Sequence, residues 1–314
     1  VSNAYTGAYQ DAYNDAQSKA NLGAQNAYVN TKVSDYANWN PQQQMAYDQG
    51  VHNANSGYNE AASNINANSA TSATNNAQDA FNGAKLGFSD GTTGQTTNVS
   101  NSSLDYQVAY VKAKQAAANA AAQGVTNFEA NAGDTTHGAT DALGNAQSHG
   151  FQTANAGYTA AKNNQIDKNN TDPSYLAGVN LANNVQNGTI DATNNPSISN
   201  YQNGDLAQQV AYAATVAGYI DGANGTDDRA TPTGTNASQS RAYLDAYAAA
   251  KQNGINQASQ GAQAYINNTT INNGTDANSI AEKTGFDKAQ AGFADGLSGN
   301  DNSQNPSYQI GYKS

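Results

Sequence analysis

The 314 residues include only 9 Leu, 10 Ile, 12 Val and 6 Phe, about 12% of the chain, below the ~20% that ordinarily supports a hydrophobic core. The formal net charge is −11 and the two arginines, Arg229 and Arg241, stand outside any basic cluster, which argues against binding to a nucleic-acid backbone. No apolar run approaches the ~20 residues that span a membrane, and the absence of cysteine removes disulfide and thiolate chemistry.

What remains apolar is Ala together with 19 Tyr, placed at helical spacings. That periodicity points to thin Ala-faced helices leaning on one another rather than to a disordered chain. Each such helix buries little, so each needs neighbours.

Two motifs alternate along the chain. One is Tyr, then Ala or Gly at three, then usually Tyr at four. The other is an aromatic, Ala at three, Gly at six, an aromatic at seven and Asp-Gly at nine and ten. Steps of three, three and one put the small and aromatic residues of each on one helical face.

The first segment, 1–105, opens with Tyr5-Ala8-Tyr9 and has Gly23 eighteen residues after the first Tyr. Asn40-Pro41 offers an N-cap oxygen followed by Pro at the first helical position. A weak copy of the second motif follows at Val51, Ala54, Gly57 and Tyr58, and a full one at Phe81, Ala84, Gly87, Phe88, Asp90 and Gly91. Two copies in one segment imply an inserted extra helix.

The second segment, 106–174, runs from Tyr106-Ala109-Tyr110 through Ala113, Ala117, Ala121 and Gly124 to Phe128, then to Phe151, Ala154, Gly157 and Tyr158. The third, 175–242, starts at Tyr175-Gly178-Val179. Gly188 and the Asn194–Pro196 turn predict a shorter first helix there, before Tyr212, Thr215, Gly218, Tyr219, Asp221 and Gly222. The fourth, 243–307, repeats the stripe as Tyr243, Ala246, Tyr247, Ala250, Gly254, Ala258, Gly261 and Tyr265, then Phe286, Ala289, Gly292, Phe293, Asp295 and Gly296. A fresh Tyr308-Gly311-Tyr312 begins 308–314.

Successive Tyr motifs start at 5, 106, 175, 243 and 308, so the last three intervals approximate a unit of about 68 residues, and self-similarity at a fixed period marks a repeat array. The expected fold is all-α: tandem helical hairpins stacked into an elongated array, with polar loops rich in Asn, Thr and Gly. Asp172-Pro173, Asn195-Pro196 and Asn305-Pro306 are further helix starts. Asp90-Gly91, Asp221-Gly222 and Asp295-Gly296 are expected helix ends, their glycines taking the left-handed cap.

Chemistry-bearing groups are sparse. Asp-Gly-x-x-Gly at Asp90–Gly94, Asp221–Gly225 and Asp295–Gly299, with Asp227, Asp228, Asp301 and Asn302 close by, admits a calcium loop. The spacing and terminal Glu of an EF-hand are missing, and capping is the favoured reading. His52, His137 and His149 fall in different segments and read as solvated rather than as zinc ligands. Glu60, Glu129 and Glu282 are far apart, no carboxylate pair stands out, and no Gly-x-Ser-x-Gly stands in a strand–turn–helix setting. The expectation is a non-enzyme with no metal and no cofactor. Most tyrosines are locked into the repeat. The residues outside its register, Trp39 with Tyr36, Asn38 and Asn40, are the ligand candidates, because sugar faces stack on aromatic rings and Asn bonds their hydroxyls. The competing reading makes Trp39 a packing anchor.

The Asn-Pro-Ser-Tyr-x-x-Gly-Tyr and aromatic-x-x-Ala-x-x-Gly-Phe-x-Asp-Gly blocks, in a Cys-free setting rich in Asn, Ala, Thr and Tyr, resemble the repeat regions of large wall-anchored surface adhesins of lactobacilli and related Gram-positive bacteria. The likeness lies in repeat grammar across nearly the whole chain. It implies an extracellular, cell-wall-attached protein that adheres to host mucus, glycans, matrix or other cells, gaining strength from multivalency. A signal peptide, a sorting motif and an initiator Met are not visible, so the expectation is a monomeric segment of a larger protein. A non-binding stalk and a polysaccharide-acting enzyme are the alternative expectations.

Overall fold

The computed structural model describes residues 2–28, 32–71, 74–198, 201–227 and 240–314. Among these residues the secondary structure is helical throughout, with no strand. The elements are α1 (Ser2–Asn26), a 3-10 turn (Tyr36–Asn38), α2 (Pro41–Ser63), α3 (Asn75–Thr93), α4 (Leu104–Glu129), α5 (Ala142–Lys162), α6 (Pro173–Asn194), α7 (Leu206–Asn224), α8 (Arg241–Ile266), α9 (Ala277–Ser298) and α10 (Pro306–Tyr312). Helices α1, α2 and α3 precede α4, and α6 with 22 residues is shorter than α4 and α8 with 26 each. Arg229 and Asp228 lie outside the described residues.

Local chemistry accounts for the boundaries. Asn40 forms a reciprocal capping box with Gln43, the Gln43 amide donating to Asn40 Oδ1 at 2.9 Å and the Asn40 amide to Gln43 Oε1 at 3.0 Å, which satisfies two orphan donors at once. Asp172 and Asn305 cap the starts of α6 and α10 ahead of their prolines. Asn195-Pro196 departs from expectation: it follows α6 and starts no helix. Proline suits that place because it cannot continue the helix it follows; α7 begins only at Leu206, capped by Asp205.

The Asp-Gly pairs also depart from expectation. Each helix runs on past the first glycine, and the left-handed residue is the second: Gly94 (φ 74°), Gly225 (φ 68°) and Gly299 (φ 75°). The amide after each bonds back to the carbonyl of Asp90, Asp221 or Asp295 at 2.8–3.0 Å, the Schellman closure. The first glycine stays helical and serves packing.

That packing is backbone against backbone. A Cβ added to Gly83, Gly87 or Gly91 of α3 would overlap the carbonyls of Tyr106, Tyr110 or Lys114 in α4. Gly218 and Gly222 of α7 face Tyr247 and Lys251 of α8 in the same way, and Gly292 and Gly296 of α9 face Tyr308 and Tyr312 of α10. Only hydrogen at Cα permits this approach, which places Cα–H groups against carbonyl oxygens. The equivalence also corrects a register. Tyr308 takes the place of Tyr110 and Tyr247, one helical turn later than its sequence alignment with Tyr106 and Tyr243.

The chain divides into two compact units. The first comprises residues 1–127, 133–156 and 168–176; the second comprises 128–132, 157–167 and 177–314. In the first, Phe81 and Phe88 lie fully buried among Ala61, Ala84, Ala109 and Ala113. In the second, Tyr219 sits with Ala223, Ala250, Ala258, Ala277 and Ala281. The stripes expected on α4 and α8 are the buried faces: Ala109, Ala113, Ala117, Ala121 and Phe128 on one, Ala246, Ala250, Gly254, Ala258 and Gly261 on the other.

One buried charge has a cost. Asp105, in the first turn of α4, is 4% exposed, receives Asn76 Nδ2 on one oxygen at 3.1 Å and has no hydrogen-bond partner on the other. Burial, with the Asp79 charge adding to it, raises its carboxyl to about 6. A folded-state value above the unfolded one near 4 means that stability is lost as pH rises from about 4 through 6. Asp105→Asn is therefore expected to gain on the order of 1–2 kcal/mol above pH 6 and nothing below pH 4. Urea midpoints of both proteins across pH 3.5–8 check this; a constant difference would reject it.

Candidate functional site

The four residues singled out by sequence converge where α1, the 3-10 turn and α2 meet, and most of their valences are used internally. The Trp39 ring lies 5.6 Å from Tyr36 and 5.6 Å from Tyr47, tilted and edge-on. Lys19 Nζ stands over its face, 4.0 Å from the centroid, a cation–π arrangement. The indole N–H donates to Asp35 Oδ2 at 2.9 Å. Tyr36 donates its hydroxyl to Asp48 Oδ2 at 2.6 Å while Lys32 pairs with Asp48 Oδ1 at 3.1 Å. The Tyr36 hydrogen bond, opposed by partial burial and aided by Lys32, holds the Asp48 carboxyl below its ordinary range. Asn40 is occupied by its cap, and Asn38 is exposed at the end of the 3-10 turn. A sugar stacking on the face of Trp39 that Lys19 covers would have to displace that ammonium.

The Asp-Gly loops hold a different device. Tyr110 donates its hydroxyl to Asp90 Oδ2 at 2.8 Å, and the Thr97 amide donates to both the hydroxyl (2.9 Å) and the carboxylate (2.8 Å). Tyr308 repeats it: its hydroxyl donates to Asp295 at 2.8 Å, and the Asn302 amide donates to that hydroxyl at 2.9 Å. Tyr247 donates to Asp221 at 2.6 Å, whose other oxygen takes Thr226 Oγ1 at 2.8 Å. Each tyrosine thus latches the helix end and its outgoing loop to the next helix. Oδ2 of Asp90, Oδ2 of Asp295 and both oxygens of Asp221 already face donor hydrogens, and among the described residues no group of three or more His, Cys, Asp or Glu could hold a metal ion.

His149 is more than a solvated side chain: its Nε2 lies 2.8 Å from Asp172 Oδ2, tying α5 to the cap of α6. His137 contacts Gln152 at 2.7 Å. A cluster that sequence reasoning missed joins three elements of the second unit. The Tyr158 hydroxyl and Lys162 Nζ both reach Asp245 Oδ2, at 2.7 and 3.0 Å, and the Arg241 guanidinium lies over the Phe128 ring at 4.1 Å. Burial and the Asp245 contact push the Tyr158 phenol up. Lys162 and Asp245 lie 83 residues apart in sequence, so spacing carries no signal for the pair.

The clefts differ in size and depth. One, about 190 Å³, is lined by Val216, Tyr219, Ile220, Ile280 and Thr284; another, about 290 Å³, is lined by Tyr158, Lys162, Val185, Ile190 and Asp245. Two more open ones, about 490 and 480 Å³, are lined by Ile198, Tyr201, Tyr212 and Ile220 and by Asn14, Gln17, Leu22 and Leu104. No helix of the described residues is long and apolar enough to cross a membrane. No protein-family model, curated protein or solved structure matches the chain.

Proposed function

We propose that the chain is a helical scaffold segment of an extracellular, wall-attached bacterial surface protein, assembled from tandem units of about 68 residues. The observation that carries this reading is the use of the aromatic side chains. Tyr47, Tyr110, Tyr158, Tyr212, Tyr243, Tyr247 and Tyr308 are buried between helices, and several spend their hydroxyls on latching loops. A chain that invests its tyrosines in joints is built to hold a geometry and to space other parts.

Adhesion to glycan, mucin or matrix protein is the second reading. The Trp39 corner favours it, because there aromatic rings, two lysines and two aspartates meet at a partly exposed surface. A glycan, mucin and matrix array probed with the intact chain at pH 4.5 and 7 separates the two. Silence at both pH values is expected for the scaffold. A saturable signal reduced at least ~10-fold in Trp39→Ala, about 1.4 kcal/mol, would establish the corner as a binding site instead.

A further inference from the structure

The first half of α1 is an uncovered copy of a face that the chain covers elsewhere. Residues 4–18 are exposed throughout, with Tyr5 at 76%, Tyr9 at 63% and Tyr13 at 53%. The second half of α1 packs on α2, where Gly23 meets the Tyr47 carbonyl and Gly50 meets Ala20. Aligned from Tyr5 on Tyr106, Tyr9 matches Tyr110, Ala12 matches Ala113 and Ala16 matches Ala117. On α4 those alanines are wholly buried, under the Gly83-Gly87-Gly91 edge of α3. The same positions on α8 lie under α7, and Tyr308 and Tyr312 of α10, spaced like Tyr9 and Tyr13, lie against α9. The Tyr9 and Tyr13 rings already stack at 6.5 Å, as Tyr308 and Tyr312 do at 6.2 Å. No described residue accepts from the Tyr9 hydroxyl, whereas Tyr110, Tyr247 and Tyr308 each donate to an Asp.

We infer that residues 4–18 of α1 are a docking face for one kind of partner, an α-helix in another polypeptide segment with the α3 pattern. Its glycines, four residues apart, would lie on the carbonyls of Tyr5, Tyr9 and Tyr13, as those of α3 lie on Tyr106, Tyr110 and Lys114, with Ala12 beside the middle one, and an Asp three residues after that glycine would accept from Tyr9. The face is continuous with the α1–α2 interface. A second copy of this chain is the poorer occupant, because its own faces of this pattern on α3, α7 and α9 are already covered by α4, α8 and α10. The inference concerns a joint and stands whether or not the Trp39 corner binds a ligand.

The test appends a second copy of residues 41–101, which supplies α2, α3 and the outgoing loop, directly before Val1 of the full chain. That junction reproduces the α3-to-α4 spacing ahead of Tyr5. Amide exchange at residues 4–18 is expected to slow by on the order of 100-fold relative to the unextended chain. Ala12→Arg should leave the thermal midpoint of the unextended chain unchanged and abolish the protection in the extended one. Unchanged exchange after extension, or protection that survives Ala12→Arg, would overturn the inference. Concentration-dependent protection in the unextended chain would also overturn it, by making a second copy the occupant.

Discussion

Gly285→Ala is expected to destabilise the second unit by about 2–3 kcal/mol, and Gly285→Val by more, the range for overpacking a tight contact. The sign is informative because alanine alone favours a helix interior by up to ~1 kcal/mol over glycine. A Cβ on Gly285 would overlap the Ala258 carbonyl and carbon, and the contact is reciprocal, since Gly261 of α8 meets the Glu282 carbonyl of α9. Relieving one overlap therefore means separating two helices along their whole seam. Gly7→Ala makes the same chemical change where nothing lies within 4 Å, and should increase the helicity of the first half of α1. Urea unfolding and circular dichroism of the two variants give opposite signs if the seam is as close as described; a neutral Gly285→Ala would refute it.

Removing the latch at Asp90 should have an effect of similar size in the first unit. Asp90→Ala leaves the buried Tyr110 hydroxyl without its acceptor and weakens the hold on the Thr97 amide, a loss of about 2–4 kcal/mol. Tyr110→Phe should cost about 1–2 kcal/mol, and the pair should be non-additive because the groups share one bond. A pH dependence follows. Burial alone would raise the Asp90 carboxyl, but hydrogen bonds from Tyr110 and Thr97, with the Lys114 charge, outweigh it and hold the group below its ordinary value. A folded value below the unfolded one gives stability that is present above about pH 4 and lost as pH falls through the folded value. Asp90→Asn should therefore be less stable at pH 7 and converge on the parent in acid. Parallel pH curves would mean that the carboxylate contributes nothing through its charge.

Much of the architecture was legible because it rests on local rules. The Ala and Gly stripe from Tyr243 to Gly261 is a periodicity, and the Asn40 and Asn305 caps are short-range chemistry. The misread features depend on which helix lies opposite. A glycine after Asp is a good helix stop when read alone, but Gly91 and Gly222 are fixed as helix interior by Lys114 and Lys251 across the seam. The same holds for Tyr308, whose counterpart is decided by the glycine it meets rather than by its distance from Tyr243. At the candidate site, the absence of repeat register around Trp39 marked an unusual corner, yet the engagement of its ring by Lys19, twenty residues earlier, was invisible in the motif. The Tyr158–Asp245 contact joins residues 87 apart in sequence, a separation that no helical periodicity encodes.

The glycine and alanine seams also bear on how this protein meets temperature. Heat capacity on unfolding grows with the apolar surface released to water, and these seams release methyl groups and main chain rather than long aliphatic side chains. Exposed peptide groups lower the heat capacity that apolar groups raise. The increment per residue should thus fall under the ~12–15 cal/mol/K of ordinary globular proteins, giving a shallow stability curve. Such a chain keeps a similar margin in cold and warm surroundings, because little of its stability comes from the force that fades on cooling.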